Sequence, residues 1–281
     1  MSTFLNKHSR QPKLYIDLPS SGKYYKDGVI EDNQFVHIPV FAMTTADEIA
    51  TKTPDSLFSG HAVADVIKSC VPLVNTPWSL IKTDLEYILT AIKIASLGDK
   101  TTISTICPKC STESHVELEL QNILNFYDSI EHHYDFEIDN FKITLAPVNY
   151  KNLTELGLAS YSVQRQLYQI TNSDLSEDEK MSKLAELNNM LTMENLKTLI
   201  RYIKSIEEIN SSEEESDNDK ILDFVKNNDG KILKSYSAHI KKYTESINYP
   251  EQNIQCENEE CEHIFSVKYN SDYSAFFDRT S

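Results

Sequence analysis

The spacing of apolar side chains predicts a chain that is mostly helical. Leucine, isoleucine, valine and tyrosine recur every three or four positions, as on the buried face of an amphipathic helix, in residues 62–71, 80–97, 149–169 and 232–247. Thr45 with Glu48, and Ser176 with Glu179, have the spacing of a capping box at a helix start. The helix that begins after Ser176 keeps its period as far as residue 209.

Alternation with a period of two predicts short strands in the rest of the chain. Residues 14–19 and 35–40 form a small N-terminal β element, and residues 136–145 form a hairpin with Asp139–Asn140 at its turn. Four more strands flank the cysteine pairs, at residues 101–106, 115–120, 253–255 and 264–269.

Four of the five cysteines form two pairs, each between two predicted strands. The pairs are Cys107–Pro–Lys–Cys110 and Cys256–Glu–Asn–Glu–Glu–Cys261. A strand, a close cysteine pair and a second strand make half of a zinc ribbon, and two halves supply the four ligands of a structural zinc site. The sequence therefore predicts one structural Zn²⁺ bound by Cys107, Cys110, Cys256 and Cys261.

Three other interpretations of the cysteines are weaker. Four unrelated free thiols would not need matching strand contexts. A redox CxxC is disfavoured because no thioredoxin-like βαβ unit surrounds Cys107. His115 and His263 are close enough in sequence to serve as ligands, but four cysteines already complete the set. Cys70 lies in an apolar helical stretch and is interpreted as a small buried side chain.

Together these elements predict an α+β fold. It has a mostly helical body, small β elements and a split zinc ribbon built from two distant CxxC-type halves. The predicted organisation is an N-terminal β element with helices over 1–100, ribbon halves over 101–125 and 250–281, and an inserted hairpin and helical body over 126–249. The insertion includes an acidic, exposed loop at 210–220.

Composition narrows the function classes. The chain has 281 residues, of which 40% are hydrophobic and 25% charged, so a packed core is expected. The net charge of −16 disfavours binding to nucleic acid, whose phosphates require clustered lysine and arginine. No apolar stretch is long enough to span a membrane. Residues 1–12 lack the apolar core of a secretory signal, so a cytoplasmic protein is expected.

The sequence lacks the common motifs for catalysis and small-molecule binding. There is no GxxxxGK[ST], GxGxxG, GxSxG or HExxH pattern. Asp217 and Asp219 lack the glycine and the terminal glutamate of an EF-hand loop. Four thiolates would leave zinc no open position for substrate. We therefore expect no enzyme activity and no small-molecule substrate.

Several stretches together resemble one viral family. They are KLYIDLPSSGKYY (13–25), MTTADEIATKTPDSLFSG (43–60), VIKSCVPLVNTPW (66–78), DLEYILTAIKIASLG (84–98), Cys107–Cys110, residues 143–166 and residues 193–209. In this order they resemble the baseplate hub subunit and hub assembly proteins of T-even-type contractile-tailed bacteriophages. The CxxC matches that family, whereas the CxxxxC departs from a symmetric pair of CxxC motifs.

The resemblance implies a structural or assembly role in a phage tail baseplate hub, exercised through contacts with other hub or tail proteins. It implies a location in the cytoplasm of the infected host, and members of the family differ in whether they are retained in the virion tail baseplate. The alternative from another class is a phage-encoded zinc-ribbon regulator that binds the transcription machinery. Two aromatic segments of low charge are candidate docking sites, at 269–277 and 75–80.

Overall fold

The computed structural model describes residues 10–52, 59–211, 213–228 and 230–269. Its fold mixes eight described α-helices with small antiparallel sheets. Contacts divide the chain into two units, Met1–Ile130 with Ile247–Ser281, and Glu131–Ser246. The predicted division into 1–100, the ribbon halves 101–125 and 250–281, and an inserted body over 126–249 stays a prediction.

The first unit begins with a β-hairpin and a helical core. Its elements before the first cysteine pair are β1 (Pro12–Ile16), β2 (Ile38–Phe41), α1 (Thr45–Ala50), α2 (His61–Cys70) and α3 (Lys82–Leu97). Strands β1 and β2 pair antiparallel, with Leu14 opposite Val40. Helix α1 is capped by Thr44 and Asp47. The predicted Thr45–Glu48 box is therefore wrong by one residue, because either adjacent threonine satisfies the spacing.

Helix α3 is the centre of the first unit. Strands β1 and β2 and helix α2 all pack against it, and its side chains are buried from Thr83 to Lys93. The helix ends at Gly98, which has a φ of 105°. Glycine adopts this backbone conformation readily, and other residues rarely do. The apolar stripe found in the sequence covers only part of the buried surface, because the helix is enclosed on all sides.

A buried carboxylate joins α3 to the loop after β1. Asp84 is fully buried, and it accepts hydrogen bonds from the Ser20 backbone N–H at 3.1 Å and from the Tyr25 hydroxyl at 2.6 Å. The Ser20 hydroxyl donates a third bond. Burial raises the pKa of Asp84, and the bonds from Ser20 and Tyr25 oppose that rise. These bonds fix the Ser–Ser–Gly turn on the helix.

The remaining elements of the first unit are two hairpins and one helix. They are β3 (Lys100–Ile106), β4 (Glu113–Glu119), α4 (Leu120–Asp128), β9 (Gln252–Gln255) and β10 (Ile264–Val267). Strands β3 and β4 pair antiparallel, as do β9 and β10. Helix α4 packs on α3 and follows β4 without a loop, so the strand expected through Leu120 ends one residue earlier.

The second unit combines a four-stranded sheet with four helices. Its elements are β5 (Tyr134–Ile138), β6 (Phe141–Leu145), α5 (Tyr150–Thr171), α6 (Glu177–Ile200), β7 (Ile203–Glu208), β8 (Glu214–Glu215), α7 (Asn218–Lys226) and α8 (Gly230–Ser246). The sheet order is β5-β6-β7-β8, antiparallel throughout. The β5–β6 hairpin has Asp139 at its turn, and Ser176 with Glu179 forms the expected capping box at α6.

Two expectations for this unit are wrong. The helical period does not continue to residue 209, because residues 203–208 form β7 along the free edge of β6, with Ile203 and Ile206 buried. Most of the described residues between 210 and 220 are exposed, but they do not form a simple loop. Glu214 and Glu215 pair with β7, and Asp217 caps α7 by accepting bonds from the backbone N–H groups of Asp219 and Lys220.

In the part of the chain that the structure describes, no helix is long and apolar enough to cross a membrane.

Candidate metal centre

The first cysteine pair lies in the turn between β3 and β4. The Cys107 backbone N–H donates to the Thr112 carbonyl at 2.9 Å, and the Ser111 backbone N–H donates to the Cys107 carbonyl at 2.9 Å. These bonds close the turn so that both thiols emerge on one side. Ser111, which follows the second cysteine, has a φ of 59°, a left-handed conformation that is strained for a residue with a side chain.

The second pair lies in the loop between β9 and β10 and repeats this arrangement. The Cys256 backbone N–H donates to the His263 carbonyl at 2.9 Å, and the Cys261 backbone N–H donates to the Asn258 carbonyl at 2.9 Å. Glu262 follows the second cysteine and has a φ of 46°. The two loops differ in length, yet both place a left-handed residue directly after the second thiol.

The structure brings the four predicted ligands together. The sulfur atoms of Cys110 and Cys256 lie 3.5 Å apart, and those of Cys107 and Cys261 lie 4.0 Å apart. All four sulfur atoms lie within 4.8 Å of one another. None of the pairs is disulfide-bonded. Cys107 and Cys256 are buried, whereas Cys110 and Cys261 are half-buried.

This arrangement fits a tetrahedral metal ion. Zinc–sulfur bonds of about 2.3 Å imply sulfur–sulfur edges of about 3.8 Å in a tetrahedron. The Cys110–Cys256 and Cys107–Cys261 distances lie on either side of that value. Four thiol donors with tetrahedral spacing are typical of zinc or of iron–sulfur sites. Four protein ligands fill the coordination sphere, so the chemistry of such a centre is structural.

The surroundings of the thiols favour the thiolate form of Cys110 and disfavour that of Cys256. The Thr112 hydroxyl, 3.2 Å from the Cys110 sulfur, and the Thr112 backbone N–H lower the pKa of Cys110 to about 6. The Asn258 backbone N–H favours the Cys256 thiolate. Burial and the neighbouring thiols of Cys110 and Cys107 outweigh it and raise the pKa of Cys256 to about 11. Without a metal, Cys110 therefore ionises more readily than Cys256.

Contacts between the two halves extend beyond the cysteines. The carboxylate of Glu257 accepts a bond from the His115 backbone N–H at 2.7 Å, and it lies 3.4 Å from the His115 ring nitrogen Nδ1. The Glu257 backbone N–H donates to the buried Ser114 hydroxyl at 3.3 Å. No local pattern indicates these supporting residues, because their pairing depends on segments more than 140 positions apart.

The other candidates lie outside the cluster. His115 contacts Glu257, and the His263 ring stacks on Phe265 with centroids 6.0 Å apart. Cys70 is fully buried beside Arg10, and burial raises its pKa to about 12. Among the described residues, the group of close metal-ligand atoms includes neither Asp217 nor Asp219.

The structure describes the predicted docking segment at 75–80 but only one residue of the segment at 269–277. Residues 270–277 lie outside the described residues, so the proposed C-terminal aromatic cluster is described only at Tyr269. Trp78 is half-buried and packs edge-to-face on His61 of α2, with ring centroids 5.2 Å apart. Trp78 therefore contributes to the packing of the first unit.

Comparison with known proteins gives one match. The family model described as T4 bacteriophage base plate protein matches residues 12–278. No curated protein matches the chain. No solved structure matches it.

Proposed function

The chain belongs to the T4 bacteriophage base plate protein family, and we propose that it is a structural and assembly component of the baseplate hub. The family match carries this proposal because it extends over nearly the whole sequence, both units included. The hub assignment rests further on the resemblance of residues 13–110 to hub subunit and hub assembly proteins.

We propose that Cys107, Cys110, Cys256 and Cys261 bind one Zn²⁺ that stabilises the first unit. The support is the donor set, the spacing of the sulfur atoms and the polar contacts around them. The chain leaves this unit at Ile130 and returns at Ile247. A metal bound by both segments stabilises the fold because its binding free energy is available only when the segments have come together.

We further propose that the protein acts through contacts with other hub or tail proteins, without catalysis. A net charge of −16 is unfavourable for binding nucleic acid. The proposed centre has no vacant coordination position, and its four thiolates reduce the Lewis acidity of the ion. The protein would then function through residues on its surface that contact other proteins.

Affinity capture from infected cells tests the proposed function. A tagged full-length chain is expressed during infection, and captured proteins are quantified by mass spectrometry against an untagged control. Enrichment of baseplate hub or tail proteins is expected. Enrichment of RNA polymerase subunits without tail proteins would contradict the proposal and favour the regulator. Quantifying the chain in purified particles and in assembly intermediates then distinguishes a retained subunit from one that leaves.

A further inference from the structure

Helix α5 of the second unit has two faces that are low in charge. One face carries half-buried residues at seven-residue spacing, Leu156, Val163 and Ile170, and α5 packs on α6. The other face carries residues spaced alternately three and four positions apart. We call this second face the α5 stripe, and it comprises Thr154, Gly157, Tyr161, Gln164, Tyr168 and Thr171.

The α5 stripe has the composition of an interface. Tyr161 is 51% exposed and Tyr168 is 70% exposed. Between residues 156 and 171 the only charged residue is Arg165, although a quarter of the chain is charged. Interface centres are depleted in charge and enriched in tyrosine, and a spacing of three and four is the pattern by which helices pair.

Gly157 provides an independent observation. A glycine inside a helix is destabilising relative to alanine, because its backbone loses more freedom on folding. Apart from the residues next to Gly157 and the nearby backbone of α5 itself, no atom of the described residues comes within 4 Å of the position that a Cβ at residue 157 would occupy. Packing within the described residues therefore does not require glycine there. A glycine is required at such a position when another backbone or a large side chain approaches it closely.

We propose that the α5 stripe pairs antiparallel with the α5 stripe of a second copy of this chain. Gly157 and Tyr168 lie equally far from the midpoint of the stripe, which falls between residues 162 and 163. An antiparallel two-fold arrangement therefore places Tyr168 of each copy over Gly157 of the other. It also places Tyr161 opposite Gln164. A large side chain thus meets a small one in both Tyr168–Gly157 layers, which is the self-complementarity that a two-fold interface requires.

The flanking positions agree with this register. In antiparallel helix pairs, the residues beside the seam face their equivalents on the other helix. Leu158 then lies beside the partner's Arg165, whose aliphatic stem can cover it, and Leu167 lies beside the partner's Ser160. All four exposed large apolar residues of α5 are used: Leu158, Tyr161, Leu167 and Tyr168. No like charges face each other, despite the net charge of −16.

The expected dimer is concentration-dependent. The stripe from Thr154 to Thr171 is about 26 Å long. One helix pair of this length buries less surface than the roughly 1,200 Å² of a standard stable interface. Because the interface is small, a single substitution at Gly157 or Tyr168 should raise the dissociation constant strongly.

Sedimentation equilibrium of the full-length chain across the micromolar range tests the proposal. The wild type should dimerise. Tyr168→Lys removes the large side chain, and Gly157→Glu fills the space above the glycine; each should raise the dissociation constant at least about tenfold. Gln169→Lys and Ser162→Glu make the same charge changes on exposed positions of α5 outside the stripe, and they should leave the dissociation constant within about twofold. Circular dichroism confirms that every variant is folded.

A mixture of two variants tests the register. When the Tyr168→Lys chain pairs with the Gly157→Glu chain, lysine meets glutamate in one layer and tyrosine meets glycine in the other. The mixture should therefore dimerise more tightly than either variant alone. A wild type that remains monomeric overturns the proposal. Stripe and control variants that weaken the dimer equally, or a mixture with no gain, also overturn it.

Discussion

Cys110 and Cys256 are 146 positions apart in the chain, and their sulfur atoms lie 3.5 Å apart. Cys107 and Cys261 repeat the relationship over 154 positions, at 4.0 Å. The segments that carry them are short hairpins with little apolar surface of their own. A metal ion bound by all four thiols would provide the stabilisation that such small elements cannot obtain from hydrophobic packing alone.

Removing one thiol should release the metal and weaken the first unit. We expect Cys110→Ser to reduce bound zinc from one per chain to none. The loss of a structural zinc should cost about 3 kcal/mol or more, which lowers the melting temperature by at least roughly 5 °C in a protein of this size. Zinc is measured by inductively coupled plasma mass spectrometry, and unfolding by circular dichroism.

The fifth cysteine provides the matched control. Cys70 is buried away from the cluster, so Cys70→Ala should keep the full zinc content. Its cost in unfolding free energy should be about 1 kcal/mol, from lost packing. Equal zinc loss in both variants would show that the metal depends on general folding and not on the four thiols.

In the metal-free protein, Cys110 should react faster at neutral pH than Cys256 and Cys261, whose pKa values are raised. Its pKa is lowered to about 6 by the Thr112 hydroxyl and backbone N–H, and the thiolate is the reactive form. Because the folded pKa lies below that of the free thiol, this contribution to stability is lost as the pH falls through about 6. Thr112→Val should raise the pKa and slow iodoacetamide labelling of Cys110 at pH 7, as measured by peptide mass spectrometry. Unchanged labelling would contradict the assigned hydrogen bond.

The left-handed residues after each cysteine pair should prefer glycine. Ser111 and Glu262 have φ values of 59° and 46°. Ser111→Gly should preserve or slightly raise the free energy of unfolding, whereas Ser111→Val should lower it by about 1–2 kcal/mol, because a branched side chain is strained at positive φ. The same order is expected at Glu262. Chemical denaturation measures both series, and a valine variant as stable as the glycine variant would argue against this turn geometry.

The buried carboxylate of α3 should be essential for the N-terminal turn. Asp84→Ala removes the acceptor for Ser20 and Tyr25 and leaves their polar groups buried, so it should cost about 3 kcal/mol. Tyr25→Phe removes one hydrogen bond and should cost about 1 kcal/mol. Urea denaturation compares the two variants. Equal losses would show that the rest of the network contributes nothing beyond the tyrosine bond.

Local patterns were sufficient for features that depend on neighbours in sequence. The strands around Cys107 and Cys110 follow from alternation, and the start of α6 follows from Ser176 and Glu179. The sequence also indicated the four thiols that the structure brings together, since two similar strand contexts suggested one site. Each of these predictions rests on a pattern formed by residues within a few positions of one another.

Long-range interactions explain what the sequence did not reveal. Ile203, Ile206 and Ile209 recur every three positions, which favours a helix over the two-residue period of a strand. Pairing with β6 overrides this local pattern. The contacts of Glu257 with Ser114 and His115 have no local pattern at all. Burial of α3 on every side depends on strands and helices that surround it in space.

X-ray absorption spectroscopy at the zinc edge, on the full-length purified chain, tests the proposed metal centre most directly. We expect about one zinc per chain, bound by four sulfur atoms at about 2.3 Å, with no nitrogen or oxygen ligand. A chain purified without chelators that contains no zinc, or whose metal has nitrogen or oxygen ligands, would contradict the four-thiolate centre.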